Sequence, residues 1–194
     1  ELDDIENAIS SYTKALKINA NDPEAHNNLG NALKKQGDPS TAITYYRMAL
    51  QLNPRHLGAH FNLGNTLKER GELAEAIASY NKALEINPGN LDTLLNLAGA
   101  FQGQGNLNGA IDCYKKALRL KPEFPEAHNN LGLALQEQKD LTAAISSYNN
   151  ALELKPNYPE AHNNLGNALH EQGDLTAAIA SYNKALELKP NYSE

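Results

Sequence analysis

One nine-residue phrase recurs along this chain at a fixed interval of 34 residues. It reads AHNNLGNAL at 25–33 and again at 161–169, with near-copies at 59–67 and 127–135. Self-similarity at a period of roughly 20–50 residues is the signature of stacked repeats, in which each repeat packs mainly on its neighbours. The interval therefore decides the fold class before any local propensity is considered. The same interval of 34 residues separates consecutive members of a set of tyrosines and a set of prolines. These are Tyr46, Tyr80, Tyr114, Tyr148, Tyr182 and Pro54, Pro88, Pro122, Pro156, Pro190.

The interval divides the chain into a half repeat and five full repeats. The half repeat covers 1–22, and repeats 1 to 5 cover 23–56, 57–90, 91–124, 125–158 and 159–192. No linker or change of composition interrupts them, so we expect one elongated domain spanning 1–194. Because the chain begins at Glu1, inside a repeat, we also expect it to be a fragment of a larger protein.

Each repeat contains the start and stop signals of two helices. In repeat 5, Pro159 suits a first helical turn, Gly173 suits a helix end in the left-handed conformation, and Asp174 can cap the next helix. Pro190 prevents that second helix from continuing. The sequence thus predicts an all-α fold of helix–turn–helix repeats, with helices of roughly 14 residues. The apolar stripes of the two helices are Ala161, Leu165, Ala168, Leu169 and Ala178, Ile179, Tyr182, Ala185, Leu186.

Composition argues against several classes of partner. A net charge of −6 is unsuited to binding the phosphates of nucleic acid. Lys34, Lys35 and Lys68 form a small group of cations, but the negative charge of the neighbouring Glu69 offsets part of it. No apolar run in the sequence is long enough to span a membrane, and no stretch of it has the pattern of a signal peptide. The lone Cys113 cannot form an internal disulfide, which favours a reducing, cytoplasmic location.

No constellation of residues indicates catalysis, a metal or a cofactor. Four histidines occupy the fourth position of repeats 1, 2, 4 and 5, too far apart to share one metal, and we expect them to pack between helices with one ring nitrogen bonded: His26, His60, His128 and His162. Glu137 and Glu171 are expected to be isolated acids on exposed faces. No nucleophile–base pair or phosphate-binding loop is present, so we predict that the chain is not an enzyme.

The pattern resembles the tetratricopeptide repeat (TPR), and the resemblance covers the whole chain. It implies a right-handed αα-superhelix, or solenoid, of about eleven helices, with the first helix of each repeat lining a concave groove. His128 and its equivalents stand where the family usually has a large aromatic residue. The matching positions of repeat 4 are Leu131, Gly132, Leu135, Ala144, Tyr148, Ala151 and Pro156.

Asparagines fill the positions that the resemblance assigns to the groove. An asparagine amide offers donors and an acceptor together, so a row of them could hold an extended peptide backbone with little regard for its sequence. The alternative left open is that the amides solvate the groove or bond between neighbouring helices. The asparagines at positions five, six and nine of the repeats, here named the asparagine stripe, are Asn27, Asn28, Asn31, Asn62, Asn65, Asn96, Asn129, Asn130, Asn163, Asn164 and Asn167.

The middle of the stripe is interrupted. Phe61 and Leu95 replace asparagine at position five, and Gly99 and Leu133 replace it at position nine. These changes could form an apolar notch for one bulky ligand side chain, or repeat 3 could have degenerated.

The predicted function is a scaffold that binds an extended peptide or protein segment in this groove. The family's clamp for the carboxyl-terminal tails of heat-shock chaperones needs cations where this chain has Asn27, Asp92 and Asn96, so that mode is not expected. The asparagine-lined groove also resembles the repeats of O-linked N-acetylglucosamine transferases, and the alternative is a substrate-recognition segment of such an enzyme. A third interpretation is a structural self-assembly module. We also expect the second helix of repeat 5 to expose apolar surface and to support weak end-to-end association.

Overall fold

The computed structural model describes residues 2–190, and its secondary structure there consists of helices joined by short turns. The all-α fold class and the helix–turn–helix repeat are confirmed. The eleven helices of the described residues are α1 (Leu2–Ile18), α2 (Pro23–Gln36), α3 (Pro39–Leu52), α4 (Leu57–Glu69), α5 (Leu73–Ile86), α6 (Leu91–Gly103), α7 (Leu107–Leu120), α8 (Pro125–Glu137), α9 (Leu141–Leu154), α10 (Pro159–Gln172) and α11 (Leu175–Leu188). The even-numbered helices are the first helices of the repeats, and α3, α5, α7, α9 and α11 are the second helices.

The helix ends of repeat 5 follow the predicted signals. Pro159 occupies the first position of α10, and Gly173 ends that helix in the left-handed conformation with a φ of 93°. The carboxylate of Asp174 accepts a hydrogen bond from the backbone N–H of Ala177 at 3.0 Å and so caps α11. Pro159 has no N–H that would need a partner at the helix start, while the Gly173 and Asp174 caps satisfy backbone groups that a helix end leaves without an intrahelical partner.

Small residues allow the two helices of a repeat to approach closely. Gly30, Gly64, Gly132 and Gly166 face the tyrosine ring of the second helix, where a Cβ would lie 2.5–2.6 Å from a ring carbon. The alanines that precede each tyrosine by four residues are buried as well: Ala42, Ala76, Ala110, Ala144 and Ala178. The prediction that these positions remove bulk at the helix crossing is confirmed.

The chain divides into two compact units, Glu1–Ala100 and Phe101–Glu194, here named the amino-terminal and carboxyl-terminal units. In the amino-terminal unit, consecutive helices from α1 to α5 pack in order, and α2 also contacts α4. In the carboxyl-terminal unit, α7 to α11 pack in order, and α8 also contacts α10. First helices of successive repeats are therefore direct neighbours within each unit. The expectation of one uninterrupted domain stays a prediction.

The second helix of repeat 5 exposes apolar side chains, as the sequence predicts. Leu175, Ile179 and Leu186 on α11 are 56%, 59% and 42% exposed. The association expected of this surface stays a prediction. None of the helices within residues 2–190 has both the length and the apolar character needed to cross a membrane.

Candidate functional site

The asparagine stripe lies on the first helices and is not uniformly exposed. Asn27 and Asn129, both at position five, are buried at 5% and 4% exposure. Asn167 is exposed, while Asn28, Asn31, Asn62, Asn65, Asn96, Asn130, Asn163 and Asn164 are half-buried. Position five therefore belongs to the packing between first helices in repeats 1 and 4, and positions six and nine, together with Asn163, form the accessible part of the stripe.

Buried and half-buried asparagines bond across neighbouring first helices. The Nδ2 of Asn62 on α4 donates to Oδ1 of Asn27 on α2 at 3.0 Å. In the other unit, Nδ2 of Asn164 on α10 donates to Oδ1 of Asn129 on α8, also at 3.0 Å. The alternative that the sequence left open, amides bonding between helices, thus holds for these two pairs.

The asparagines of position nine are held by tyrosine hydroxyls of the second helices. The hydroxyl of Tyr80 donates to Oδ1 of Asn65 at 2.7 Å. This bond fixes the amide relative to the repeat while using only its oxygen. The same contact joins Tyr46 to Asn31 at 2.9 Å and Tyr182 to Asn167 at 2.8 Å.

Repeats 3 and 4 keep the tyrosine contact with a different partner. Where position nine is Gly99 or Leu133, the tyrosine hydroxyl donates to the glutamine of position twelve. Tyr114 bonds Gln102 Oε1 at 2.8 Å, and Tyr148 bonds Gln136 Oε1 at 2.9 Å. The sequence interpretation missed this role of the tyrosines. The available signal was that the two repeats without asparagine at position nine carry glutamine at position twelve.

Five of the fixed asparagine amides use only their donor or only their acceptor within the described residues. Within residues 2–190, the Nδ2 donors of Asn31, Asn65 and Asn167 make no hydrogen bond. The Oδ1 acceptors of Asn62 and Asn164 are likewise unused in that range. Asn62 and Asn164 thus present acceptors at position six, and position nine presents donors. Asn28 and Asn130, also at position six, instead accept from the neighbouring Asn27 and Asn129. Asn96 differs, because its Oδ1 accepts from Lys68 and its Nδ2 donates to the carbonyl of Asp92.

Each unit has a cavity beside its stripe. In the amino-terminal unit, a cavity of about 380 Å³ is lined by Asn31, Lys34, Lys35, Tyr46 and Asn62. In the carboxyl-terminal unit, a cavity of about 260 Å³ is lined by Leu133, Gln136, Glu137, Lys139, Asn164, Asn167 and Glu171. Both cavities contain amides of positions six and nine.

The two apolar residues that interrupt the stripe at position five are only partly buried. Phe61 is half-buried, and its ring lies 6.4 Å from that of Tyr80, centroid to centroid. Leu95 is half-buried as well. The apolar notch stays a prediction.

Charged and amide side chains at positions twelve and thirteen also bridge first helices. Lys34 contacts Glu69 at 2.7 Å, Gln102 donates to Glu137 at 3.2 Å, and Gln136 donates to Glu171. The hydrogen bond from Gln136 is the main cause that holds the pKa of Glu171 below its usual value. The expectation that Glu137 and Glu171 are isolated was wrong, because sequence spacing alone did not show that a neighbouring helix supplies a donor.

The histidines behave as expected for packing residues. The Nε2 atoms of His26, His60, His128 and His162 lie 2.9–3.0 Å from the backbone carbonyls of Ala20, Pro54, Pro122 and Pro156. Among the described residues, no group of His, Cys, Asp and Glu could hold a metal ion. Burial raises the pKa of Cys113 to about 11, the opposite of the shift that activates a nucleophilic thiol.

Helix pairs repeated at 34 residues, with a glycine beneath the tyrosine ring in four of the five repeats, define a class of helix–turn–helix repeat proteins. Sequence models described as TPR repeat match residues 1–37, 103–139 and 136–173. Models described as tetratricopeptide repeat match 28–90 and 159–192. The chain belongs to the tetratricopeptide repeat family.

Solved structures share this fold. YrrB, a TPR protein with an unusual peptide-binding site, superposes with a TM-score of 0.80 at 24% identity over 95% of both chains. MamA does so with a TM-score of 0.79 at 25% identity, over 84% of this chain and 95% of its own. A TPR repeat-containing protein from Cytophaga hutchinsonii gives 0.82 at 23% identity, over 95% of this chain and 74% of its own. A search of curated proteins finds no match.

Proposed function

We propose that this chain is a non-catalytic scaffold that binds an extended peptide or protein segment along the first-helix face of its units. The observation that carries the proposal is that five asparagine amides use only their donor or only their acceptor within the described part of the fold. Asn62 and Asn164 keep free acceptors, while Asn31, Asn65 and Asn167 keep free donors. An extended backbone offers the matching C=O and N–H groups.

The fixed orientation of these amides supports binding without a large ordering cost. Immobilising a flexible side chain at an interface costs about 0.5–1.5 kcal/mol, and a tyrosine or asparagine partner has already ordered each of these amides. Backbone recognition of this kind depends little on ligand sequence. YrrB, whose fold this chain shares, has a peptide-binding site, and a peptide is the ligand proposed here.

The test is a selection of random linear peptides displayed on phage, followed by fluorescence anisotropy with the selected peptides. Two double variants remove a free donor together with the tyrosine hydroxyl that orients it: Asn65→Ala/Tyr80→Phe and Asn167→Ala/Tyr182→Phe. Removing both partners of a hydrogen bond leaves no unsatisfied group, so the fold should hardly change. We expect each variant to weaken binding about two- to ten-fold, the value of one net hydrogen bond.

Matched controls come from the second helices, where Asn81→Ala and Asn149→Ala change exposed asparagines outside the stripe. These controls should bind the selected peptides as the wild type does. A selection that enriches no peptide, or stripe variants that bind as well as the controls, would contradict the proposal.

A further inference from the structure

Three lysines cluster on the stripe side of the amino-terminal unit, and only one is paired with a carboxylate there. Lys34 contacts Glu69 at 2.7 Å. Lys68 instead donates to the neutral amide of Asn96 at 2.6 Å, and Lys35 is exposed. Among the described residues, neither Lys35 nor Lys68 has a carboxylate within salt-bridge distance. Lys34, Lys35 and Lys68 are here named the lysine cluster.

The cluster adjoins two cavities that share residues. Lys34 and Lys35 line the cavity of about 380 Å³ together with Asn31 and Asn62. Asn31 and Lys35 also line a second cavity of about 350 Å³ between α1 and α2, where Asp4 is the one acidic lining residue. A segment that bonds the amides of Asn31 and Asn62 would therefore pass beside Lys35, which is unpaired within the described residues, and beside Lys34, whose partner is Glu69.

Partial burial makes the charged form of the Lys68 side chain unfavourable. Burial lowers the pKa of Lys68, the neighbouring Glu69 opposes that effect, and the like charge of Lys34 adds to it. A further carboxylate next to this ammonium group would offset the desolvation.

The carboxyl-terminal unit has no lysine at the same repeat positions and carries two glutamates there. Position twelve is Gln102, Gln136 and His170 there, and position thirteen contributes Glu137 and Glu171 to the cavity beside the stripe. Lys139 is the only cation lining that cavity and lies 3.4 Å from Glu171. The amide chemistry of the two units is alike, so charge is what distinguishes their ligand preferences.

We propose that the amino-terminal unit binds an acidic linear segment, whose aspartate or glutamate side chains pair with the lysine cluster while its backbone bonds the amides of the stripe. This inference rests on the proposed function and names the class of partner for that unit. Peptide is favoured over nucleic acid because the free amides match a polypeptide backbone and the chain carries a net charge of −6.

The chain itself indicates a substitution that removes charge without removing the helix bridge. Gln136 donates to Glu171 across the 35-residue spacing that also separates Lys34 from Glu69. Lys34→Gln should therefore keep a donor for Glu69, and Lys35→Gln changes an exposed residue. The test variant is Lys34→Gln/Lys35→Gln. The matched control is Lys115→Gln/Lys116→Gln, an exposed adjacent pair on α7 with the same change of charge.

The experiment uses peptides selected from the random library, each made with its acidic residues and again with glutamine or asparagine in their place. All peptides are amidated at the carboxyl terminus, so that only side-chain carboxylates differ. We expect the wild type to bind the acidic version about three- to ten-fold more tightly at low salt, and less so as salt rises. The double variant should lose this preference yet bind the neutral version normally, and the control should behave as the wild type.

Selected peptides with no excess of acidic residues, or equal affinity of the wild type for both versions, would overturn this inference and leave peptide binding intact. A failure of all peptides to bind would instead overturn the proposed function. A labelled oligothymidylate provides the remaining comparison. One further result would assign the lysine cluster to nucleic acid and overturn the inference. In that case the wild type binds this strand more tightly than the acidic peptides, and the double variant loses that binding.

Discussion

The ring of Tyr148 lies so close to Gly132 that a Cβ on the glycine would stand 2.5 Å from Cε1 of the tyrosine. Tyr148 is fully buried between the helices of repeat 4, so its ring has no room to withdraw. This contact sets the distance between α8 and α9. Glycine is normally unfavourable inside a helix, and here the packing requires it.

Gly132→Ala should therefore destabilise the chain. Overpacking a buried contact costs about 1–3 kcal/mol, which exceeds the gain of about 1 kcal/mol from replacing a helical glycine by alanine. Gly99→Ala is the matched control, because nothing lies within 4 Å of its missing Cβ. We expect urea denaturation to show lower stability for the first variant and higher stability for the second. Equal changes in both would show that the tyrosine contact does not limit the helix approach.

The fold could be predicted from sequence because the 34-residue interval repeats the tyrosine in all five repeats and the other signals in most of them. Glycine beneath tyrosine, proline at helix starts and Asp174 as a cap each have a local physical cause. The stripe was predictable as a set of positions, since helical spacing decides which residues share a face. Spacing did not show which half of each amide the fold uses, because that depends on partners such as Tyr80 and Asn27 on other helices.

Lys139 occupies a position where the other repeats have glycine, and its backbone keeps the left-handed conformation with a φ of 70°. The equivalent Gly37, Gly71, Gly105 and Gly173 have φ values from 79° to 96°. A residue with a Cβ pays about 1–2 kcal/mol for this conformation. We predict that Lys139→Gly raises stability by about 1 kcal/mol in thermal or urea denaturation.

The control for that change is Lys155→Gly, at the helix end of the same repeat. Lys155 has an extended backbone with a φ of −140°, so glycine relieves no strain there. It should lower stability slightly, because it increases the freedom of the unfolded chain and removes the contacts of Lys155 with Glu126 and Tyr158. A stability loss from Lys139→Gly would mean that the ion pair with Glu171 outweighs the backbone strain.

Alkaline pH should destabilise the fold through the buried tyrosines. Burial raises the pKa of Tyr46 and of Tyr114 to about 12, above the ordinary value of 10.0. In this range the unfolded chain releases phenolic protons that the folded chain retains. The contribution to stability is therefore complete below about pH 10 and is lost as the pH rises toward 12. Melting temperatures measured across this range should fall together with the appearance of phenolate absorbance, and a melting temperature that stays constant to pH 12 would contradict the assignment.

The bond from Asn164 to Asn129 predicts an asymmetric response to mutation. Asn164→Ala would leave the buried Oδ1 of Asn129 without its donor, which costs about 1–3 kcal/mol. Asn129→Leu replaces the buried amide by an apolar side chain with the same branching at Cγ, and Leu95 stands naturally at this position in repeat 3. We expect this second variant to cost little, since water can satisfy the half-buried Asn164.

The double variant Asn129→Leu/Asn164→Ala should then recover most of the stability that Asn164→Ala alone loses. Such compensation follows because the costly species is the orphaned acceptor of Asn129, and the leucine removes that acceptor. Urea denaturation of the four proteins, with equal slopes, gives the coupling free energy directly. The corresponding pair Asn27 and Asn62 has the same 3.0 Å bond in the amino-terminal unit, so Asn27→Leu should rescue Asn62→Ala in the same way. Additive losses at both pairs would show that the amide bonds between first helices contribute nothing specific to the packing of the repeats.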